Sequence, residues 1–392
     1  MVASSLRILA DENIPLVREA FGTIGTIRLV PGRAVTTTAV CEADVLLVRS
    51  VTPVDAALVA GTPVRFVGSA TIGTDHVDIA ALQARGIAFA HAPGSNAESV
   101  VEYVLAALLR LAVQRGESIR GKTVGIVGCG NIGGRLAERL AALGLRVLKN
   151  DPPRAEQAAQ AGRRHDFYAL ADLLAEADIV TLHVPLTRTG LYATHHLFDE
   201  TTLNRLKPGA WLINTSRGAV IDNAALGSAS RPGALVLDVW EPEPTPDLAL
   251  VRKVDLATPH IAGYSYDGKV EGTRMLYRAL IRYLGHTAAW DDAAAVAAGP
   301  EDRLVLTAPG TEASGEAWLD ALVRQMYDLS GDDARMRGLL GRPQEAQASY
   351  FNDLRKRYPR RRTFRLHTLT RRAVPAVYRV AVTEGLGVRL VE

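Results

Sequence analysis

The chain has 392 residues, 48% of them apolar and 22% charged, with a formal net charge of +3. That length is too great for one hydrophobic core and calls for two or three domains, while so small a charge excess gives no electrostatic case for a nucleic-acid or membrane partner. Two cysteines far apart, Cys41 and Cys129, exclude a disulfide framework and lack metal-ligand spacing, the N-terminus turns charged before a secretory apolar region forms, and no run approaches the ~20 apolar residues of a membrane span, so a soluble cytoplasmic protein without a metal is expected.

From residue 6 to about 93, short apolar runs alternate with helical stretches. Residues 6–10, 27–30, 45–48, 65–68 and 87–90 read as strands, with helices at 15–21, 53–60 and 77–85. Such alternation gives a parallel sheet covered by helices, with ligands at the carboxyl ends of the strands. Two loops at those ends are polar: Arg49-Ser50-Val51-Thr52 and the stretch from Ser69 to His76. Small hydroxyl residues and glycine let backbone N–H groups face an anion, and Arg49 adds charge that suits a phosphate; ordinary turn and capping chemistry accounts for the same residues equally well. Residues 96–114 form a long helix, apolar on most faces, that leads into the next unit as a stiff connection between two domains flanking a cleft.

Residues 123–151 set the terms for the rest. The run 123–127 reads as a buried strand, Gly128-Cys129-Gly130-Asn131-Ile132-Gly133 as a tight turn, 132–143 as an amphipathic helix and 145–149 as a second strand. Gly128 allows the turn, Gly130 lets the backbone approach a pyrophosphate at the helix N-terminus, and Gly133 lets helix and strand pack closely. Asp151 follows at about the ~20-residue interval expected of a ribose-binding acid, which repels a 2′-phosphate and favours NAD over NADP.

Alternation resumes beyond Asp151, with strands expected at 178–184, 210–215, 234–239 and 254–257 and helices at 167–175, 201–206, 223–229 and 271–284, the last crossing back to the first domain. Arg217, Asp238, Glu243 and His260 fall at or near the predicted strand ends. Moving a hydride from a carbinol carbon to nicotinamide needs a base for the hydroxyl proton, which histidine supplies, with a carboxylate to orient it and an arginine to grip a substrate carboxylate. Taken singly, each has a bland alternative as a loop or surface residue. From about 287 the texture changes to a connector and a smaller α+β module with a strand at 303–306, helices at 313–327 and 350–358, and a valine-rich strand at 376–382. Its basic runs, Arg355-Lys356-Arg357 and Arg360-Arg361-Arg362, read first as a solvated face and otherwise as a subunit contact or a phosphate attractor.

Five segments, 68–78, 124–133, 214–222, 237–244 and 258–263, resemble the D-isomer-specific 2-hydroxyacid dehydrogenases. Four more, 11–15, 48–52, 150–154 and 260–269, resemble those members that use NAD to oxidise 4-phospho-D-erythronate to 2-oxo-3-hydroxy-4-phosphobutanoate in pyridoxal phosphate synthesis. The likeness spans essentially the whole chain. It implies a fold of two Rossmann-like or flavodoxin-like parallel-sheet domains with a cleft between them, plus a small C-terminal α+β dimerisation domain. The corresponding domains are 1–95 with 265–286 for substrate, 96–264 for NAD and 287–392 for the homodimer.

The same resemblance casts His260 as proton acceptor, Glu243 as its partner and Arg217 as the substrate-carboxylate residue. It places Gly128, Gly130, Asn131, Ile132, Gly133, Asp151, Val184, Thr215, Ser216, Arg217, Asp238 and Gly263 around NAD, and Ser50, Thr71 and Tyr264 on the substrate; Arg49 is assigned to the phosphate from its charge. Val184 stands where close relatives can present a threonine, leaving only its backbone to serve. Ser216 replaces a cysteine, and the segment 227–235 is shorter than expected. The rival readings are another dehydrogenase of the same family, such as one acting on 3-phosphoglycerate, and a non-catalytic NAD sensor. The triad of Arg217, Glu243 and His260 speaks against the sensor, which has no need of a base.

Overall fold

In the computed structural model, residues 6–291, 304–310, 313 and 315–392 are described. The chain divides into two compact units, Met1–Asn96 with Ser265–Asp302, and Ala97–Tyr264 with Arg303–Glu392.

In the first unit the valine- and leucine-rich runs become β1 (Leu6–Asp11), β2 (Gly25–Val30), β3 (Val45–Val48), β4 (Phe66–Ser69) and β5 (Ala88–His91), all parallel in the order β2-β1-β3-β4-β5. Every residue of β3 and β4 is buried, as expected of strands covered on both faces. One face packs Phe21, Leu276, Tyr277, Leu280 and Ile281, the last four from the helix Tyr266–Leu284; the other packs Val40, Val54, Leu58 and Leu82. Ser265 caps that helix by accepting the Gly268 N–H, and Gly285, at φ 67, ends it in the left-handed conformation that glycine adopts without penalty.

The helix expected at 53–60 does not form. The Val54 N–H goes to His76 O and Asp55 Oδ1 accepts the Leu58 N–H at 2.8 Å, so a bridge to Val77 and a side-chain-closed turn take the bonds a helix would use.

The second unit carries β6 (Thr123–Val127), β7 (Arg146–Asn150), β8 (Ile179–Leu182), β9 (Trp211–Asn214), β10 (Ala234–Leu237) and β11 (Leu256–Ala257), parallel in the order β11-β10-β9-β8-β6-β7. The order reverses at β6, so the glycine turn that follows it opens at the switch point where such sheets bind ligands. The helix Ala97–Arg115 is buried from Ala97 through Leu109 save at Glu98, and packs against the helices Glu316–Val323 and Gly133–Ala142. The helix Pro152–Gln160 buries no residue, so the sequence shows no apolar stripe that marks it; Asp151 caps it by accepting the Arg154 N–H.

Towards the C-terminus two strand expectations fail. Among the described residues of 303–306 only an isolated bridge forms, from Val305 to Thr368, and the two-stranded ribbon is instead β12 (Thr368–Thr370) with β13 (Arg389–Val391). The run 376–382 is helical, as the turns Ala376–Tyr378 and Ala381–Gly385. Val377 and Val380 are exposed while Val382 and Leu386 are buried, and Gly385 comes against Leu143 so closely that an added Cβ would lie 2.7 Å from it. Burial against a helix has overridden the strand preference of valine.

The basic runs are the solvated face expected only in part: Lys356, Arg357 and Arg360 are exposed, but the end of the second run is not. Arg361 and Arg362 are only 6% and 4% exposed. Among the described residues no helix is long and apolar enough to cross a membrane.

Candidate active site

Five parallel strands of the second unit, β6, β7, β9, β10 and β11, deliver the polar residues to one sheet edge. Beyond β6, Gly128 sits at φ +91, and a Cβ on it would lie 2.7 Å from His183 O and 2.9 Å from Val184; one on Gly133 would lie 2.1 Å from Gly128 O. Those two positions exclude any side chain. Gly130, between them, has nothing within 4 Å of where its Cβ would be, so the backbone ahead of the helix Gly133–Ala142 faces open space. An elongated anion fits that bare backbone, beside N–H groups that the helix leaves unbonded.

Asp151, at the end of β7, accepts the Cys129 N–H at Oδ2, 2.9 Å away, which ties the acid to the glycine turn. Its remaining lone pairs suit ribose hydroxyls. Burial, with the charge of Asp151, pushes the Cys129 thiol up to about 12, so this cysteine is a packing residue without nucleophilic character. These features fit a dinucleotide.

At the end of β9, Asn214 organises Thr215-Ser216-Arg217. Its Oδ1 accepts the Ser216 N–H at 3.0 Å, and its Nδ2 donates to Arg217 O at 2.9 Å. Arg217 Nη1 donates to Ser216 O at 2.8 Å. The next residue, Gly218, lies so close to the Trp240 carbonyl that a Cβ would overlap it at 1.9 Å, which brings the Arg217 turn against the backbone leading to Glu243. Thr215 Oγ1 is 3.4 Å from Nδ1 of His183, a ring that burial pushes down to about 3 and so holds neutral.

The loops after β10 and β11 meet. Glu243 Oε2 is 2.8 Å from His260 Nδ1, and Glu243 Oε1 accepts the Trp240 N–H at 3.0 Å. Burial would raise the Glu243 carboxyl, but the charge and hydrogen bond of His260, the Trp240 N–H and Arg355 outweigh it and hold the group below the usual carboxylate range. In the neutral tautomer whose Nδ1 proton is directed at Glu243, Nε2 is an acceptor. His260 itself adopts φ 58, a conformation that a non-glycine residue keeps only where its surroundings fix it.

Asp238 supplies part of that constraint. It accepts from Thr258 Oγ1 at 2.7 Å, from Ile261 N at 2.7 Å and from Ala262 N at 2.9 Å. Burial raises its carboxyl above the usual range, against the opposing pull of His260 and these donors. A carboxylate has about four acceptor positions, so one remains for a ligand. Val184, Gly263 and Tyr264 lie in the second unit with these groups, Tyr264 edge-on to Tyr358 at 5.7 Å.

Arg49, Ser50 and Thr71 belong to the first unit. Arg49 Nε is 2.9 Å from Oδ2 of the fully buried Asp11, so its guanidinium is held in place. Ser50 is exposed, and Thr71 Oγ1 shares a hydrogen bond with Ser69 Oγ at 2.7 Å, itself 2.9 Å from His76 Nε2. Sequence reasoning missed Asn214 and Thr258. Each opens a segment that carries the family resemblance, 214–222 and 258–263, but its supporting role shows only in its buried hydrogen bonds.

Residues 95–262 match the NAD-binding domain of the D-isomer-specific 2-hydroxyacid dehydrogenases, and residues 306–380 match a domain of unknown function. An erythronate-4-phosphate dehydrogenase of Salinibacter ruber is 58% identical over 390 residues, covering 99% of this chain and 100% of that one. One from Azotobacter vinelandii is 49% identical over 91% of this chain and 93% of that one. Among solved structures, a Thermus thermophilus protein shares 28% identity with a TM-score of 0.60, covering 72% of this chain and 98% of that one. A Staphylococcus aureus NAD-dependent formate dehydrogenase, in complex with NAD, shares the fold at 24% identity and TM-score 0.59, covering 73% and 98%.

Proposed function

This chain belongs to the D-isomer-specific 2-hydroxyacid dehydrogenases, among the erythronate-4-phosphate dehydrogenases, and from that membership we propose that it oxidises 4-phospho-D-erythronate to 2-oxo-3-hydroxy-4-phosphobutanoate with NAD, a step of pyridoxal phosphate synthesis. The observation that carries the catalytic reading is the 2.8 Å contact between His260 Nδ1 and Glu243. His260 Nε2 takes the proton of the C2 hydroxyl as the carbonyl forms, and Glu243 steadies the imidazolium that results. Arg217 binds the substrate carboxylate and Tyr264 lines the same site. Bound NAD supplies the acceptor for the hydride that leaves C2. Gly128, Gly130, Asn131, Ile132 and Gly133 bear its pyrophosphate, Asp151 its adenosine ribose, and Asp238, with Val184, Thr215, Ser216 and Gly263, its nicotinamide end.

In the first unit Ser50 and Thr71 contact substrate and Arg49 takes the phosphate. The protein works in the cytoplasm as a homodimer assembled through its C-terminal residues, and residues 1–95 with 265–286, 96–264 and 287–392 act as substrate, NAD and dimerisation domains.

Steady-state NADH absorbance with 4-phosphoerythronate against 3-phosphoglycerate tests the substrate, and turnover of 3-phosphoglycerate alone would refute it. His260→Asn is expected to lower kcat by about 10²- to 10⁴-fold with little change in NADH affinity. Unchanged turnover would remove His260 from the chemistry. Arg49→Met should raise KM for 4-phosphoerythronate far more than for unphosphorylated erythronate, and equal effects on both would deny Arg49 the phosphate.

A further inference from the structure

Two buried groups of opposite charge hold the loop that carries His260. From the sheet, Asp238 accepts the N–H groups of Ile261 and Ala262, at 2.7 and 2.9 Å. From the C-terminal segment, Arg361 donates to carbonyls of the same stretch, Nε to Tyr264 O at 3.1 Å and Nη2 to Ala262 O at 3.4 Å. The Ala262 residue is therefore fixed at its N–H by a carboxylate and at its C=O by a guanidinium.

Arg361 is itself anchored on every side. Its Nη1 lies 2.9 Å from Oε2 of the fully buried Glu102, and Nη2 donates to Ser99 O at 3.3 Å. Glu102 Oε1 accepts the Phe364 N–H at 2.6 Å, which ties the ion pair back to the segment that bears Arg361. The guanidinium lies 4.2 Å over the ring of Tyr327.

A buried ion pair is a poor device for stability alone, because well-packed apolar groups of the same volume do as well or better. What apolar groups cannot reproduce is a planar fork of five donors spread over several acceptors at once. Here two of those acceptors lie two and four residues after His260, whose φ of 58 requires a fixed surround.

We propose that Arg361 is a positioning residue for the dehydrogenation, gripping the carbonyls of Ala262 and Tyr264 so that the His260 imidazole is held against Glu243. The C-terminal segment is thereby part of the catalytic apparatus. This inference rests on the reading of His260 as proton acceptor.

Arg361→Lys tests it, since lysine keeps a positive charge for Glu102 but cannot span the carbonyls. The expected result is unchanged NADH affinity by fluorescence, kcat lower by about 10- to 100-fold, KM for 4-phosphoerythronate within about threefold, and a displaced acid limb of the kcat–pH profile. Amide exchange at residues 261–264 should quicken. If this variant is not recovered folded, Arg361→Met with Glu102→Leu removes both buried charges and is measured in the same way.

A folded variant with kcat, pH profile and exchange all within twofold of the parent overturns the proposal. So does a loss of kcat that disappears when both proteins are assayed where both are fully folded. A parent protein inactive on 4-phosphoerythronate would refute the functional reading instead, and the exchange at 261–264 would still report whether Arg361 holds the loop.

Discussion

His260 and Glu243 meet across 17 residues of sequence, whereas the Arg361–Glu102 pair spans 259. That difference separates what a sequence discloses from what it hides. The histidine and the acid sit in short, distinctive motifs at strand ends, and the chemistry of a hydroxyacid asks for both. An arginine in a cluster of six basic residues carries no mark of burial, because burial depends on which acid lies opposite in the fold. The carboxyl of Glu243 is held below the usual range in the folded protein, so it adds stability that is present above its unfolded value of about 4.3 and is lost as pH falls through its folded value. Melting curves from pH 7 to 3 should therefore show a shallower acid decline for Glu243→Gln than for the parent. At Asp151 the expectation is kinetic: Asp151→Ser should raise KM for NAD, through the lost Cys129 tether, and increase the ratio of NADP to NAD efficiency. A ratio unchanged in NADH-absorbance assays would mean that the acid does not choose the cofactor.

At the scale of the element, buried parallel strands were the most legible part of the chain. The run at 45–48 and β6 are legible to the residue, because a short run of β-branched or leucine side chains, interrupted in β6 only by Gly125 and buried on both faces, leaves little alternative. The run at 376–382 is also valine-rich and has a different fate. It passes into the helical turn Ala381–Gly385, which lies against Leu143 and Arg139 instead of forming a strand edge, as the hydrogen bond from Arg139 to Glu384 O records. Periodicity distinguishes the outcomes where composition does not. In a strand Val380 and Val382 would share a face; in the helical turns Val382 is fully buried and Val380 is 52% exposed. Val382→Ala should accordingly cost about 2 kcal/mol in urea unfolding, and Val380→Ala no more than about 0.5 kcal/mol. Equal costs would restore the strand.

For the whole molecule, the alternation of strands and helices in the sequence conveyed the fold class, while the allegiance of the last ninety residues came only from three-dimensional packing. The helix Glu316–Val323 lies on the helix Ala97–Arg115, with Arg110 2.9 Å from Asp320 and Glu316 accepting the Ile119 N–H at 2.9 Å. No local pattern announces such a contact. Cofactor binding acts on this second unit, so NADH at about 100 times its Kd should add about 2.7 kcal/mol to that unit's stability, a gain that calorimetry would miss only if the dinucleotide bound elsewhere or not at all.

The first unit draws its core from both ends of a long detour: Phe21 and Leu47 come early, while Leu276, Tyr277 and Leu280 arrive more than two hundred residues later. On the ribosome, the five N-terminal strands emerge and must wait, one apolar face covered only by the short helix Val17–Phe21, until the helix Tyr266–Leu284 has cleared the exit tunnel. A nascent chain stalled before residue 265 thus presents a sticky sheet with most of one face uncovered, which makes synthesis through this stretch a moment when the protein needs a chaperone.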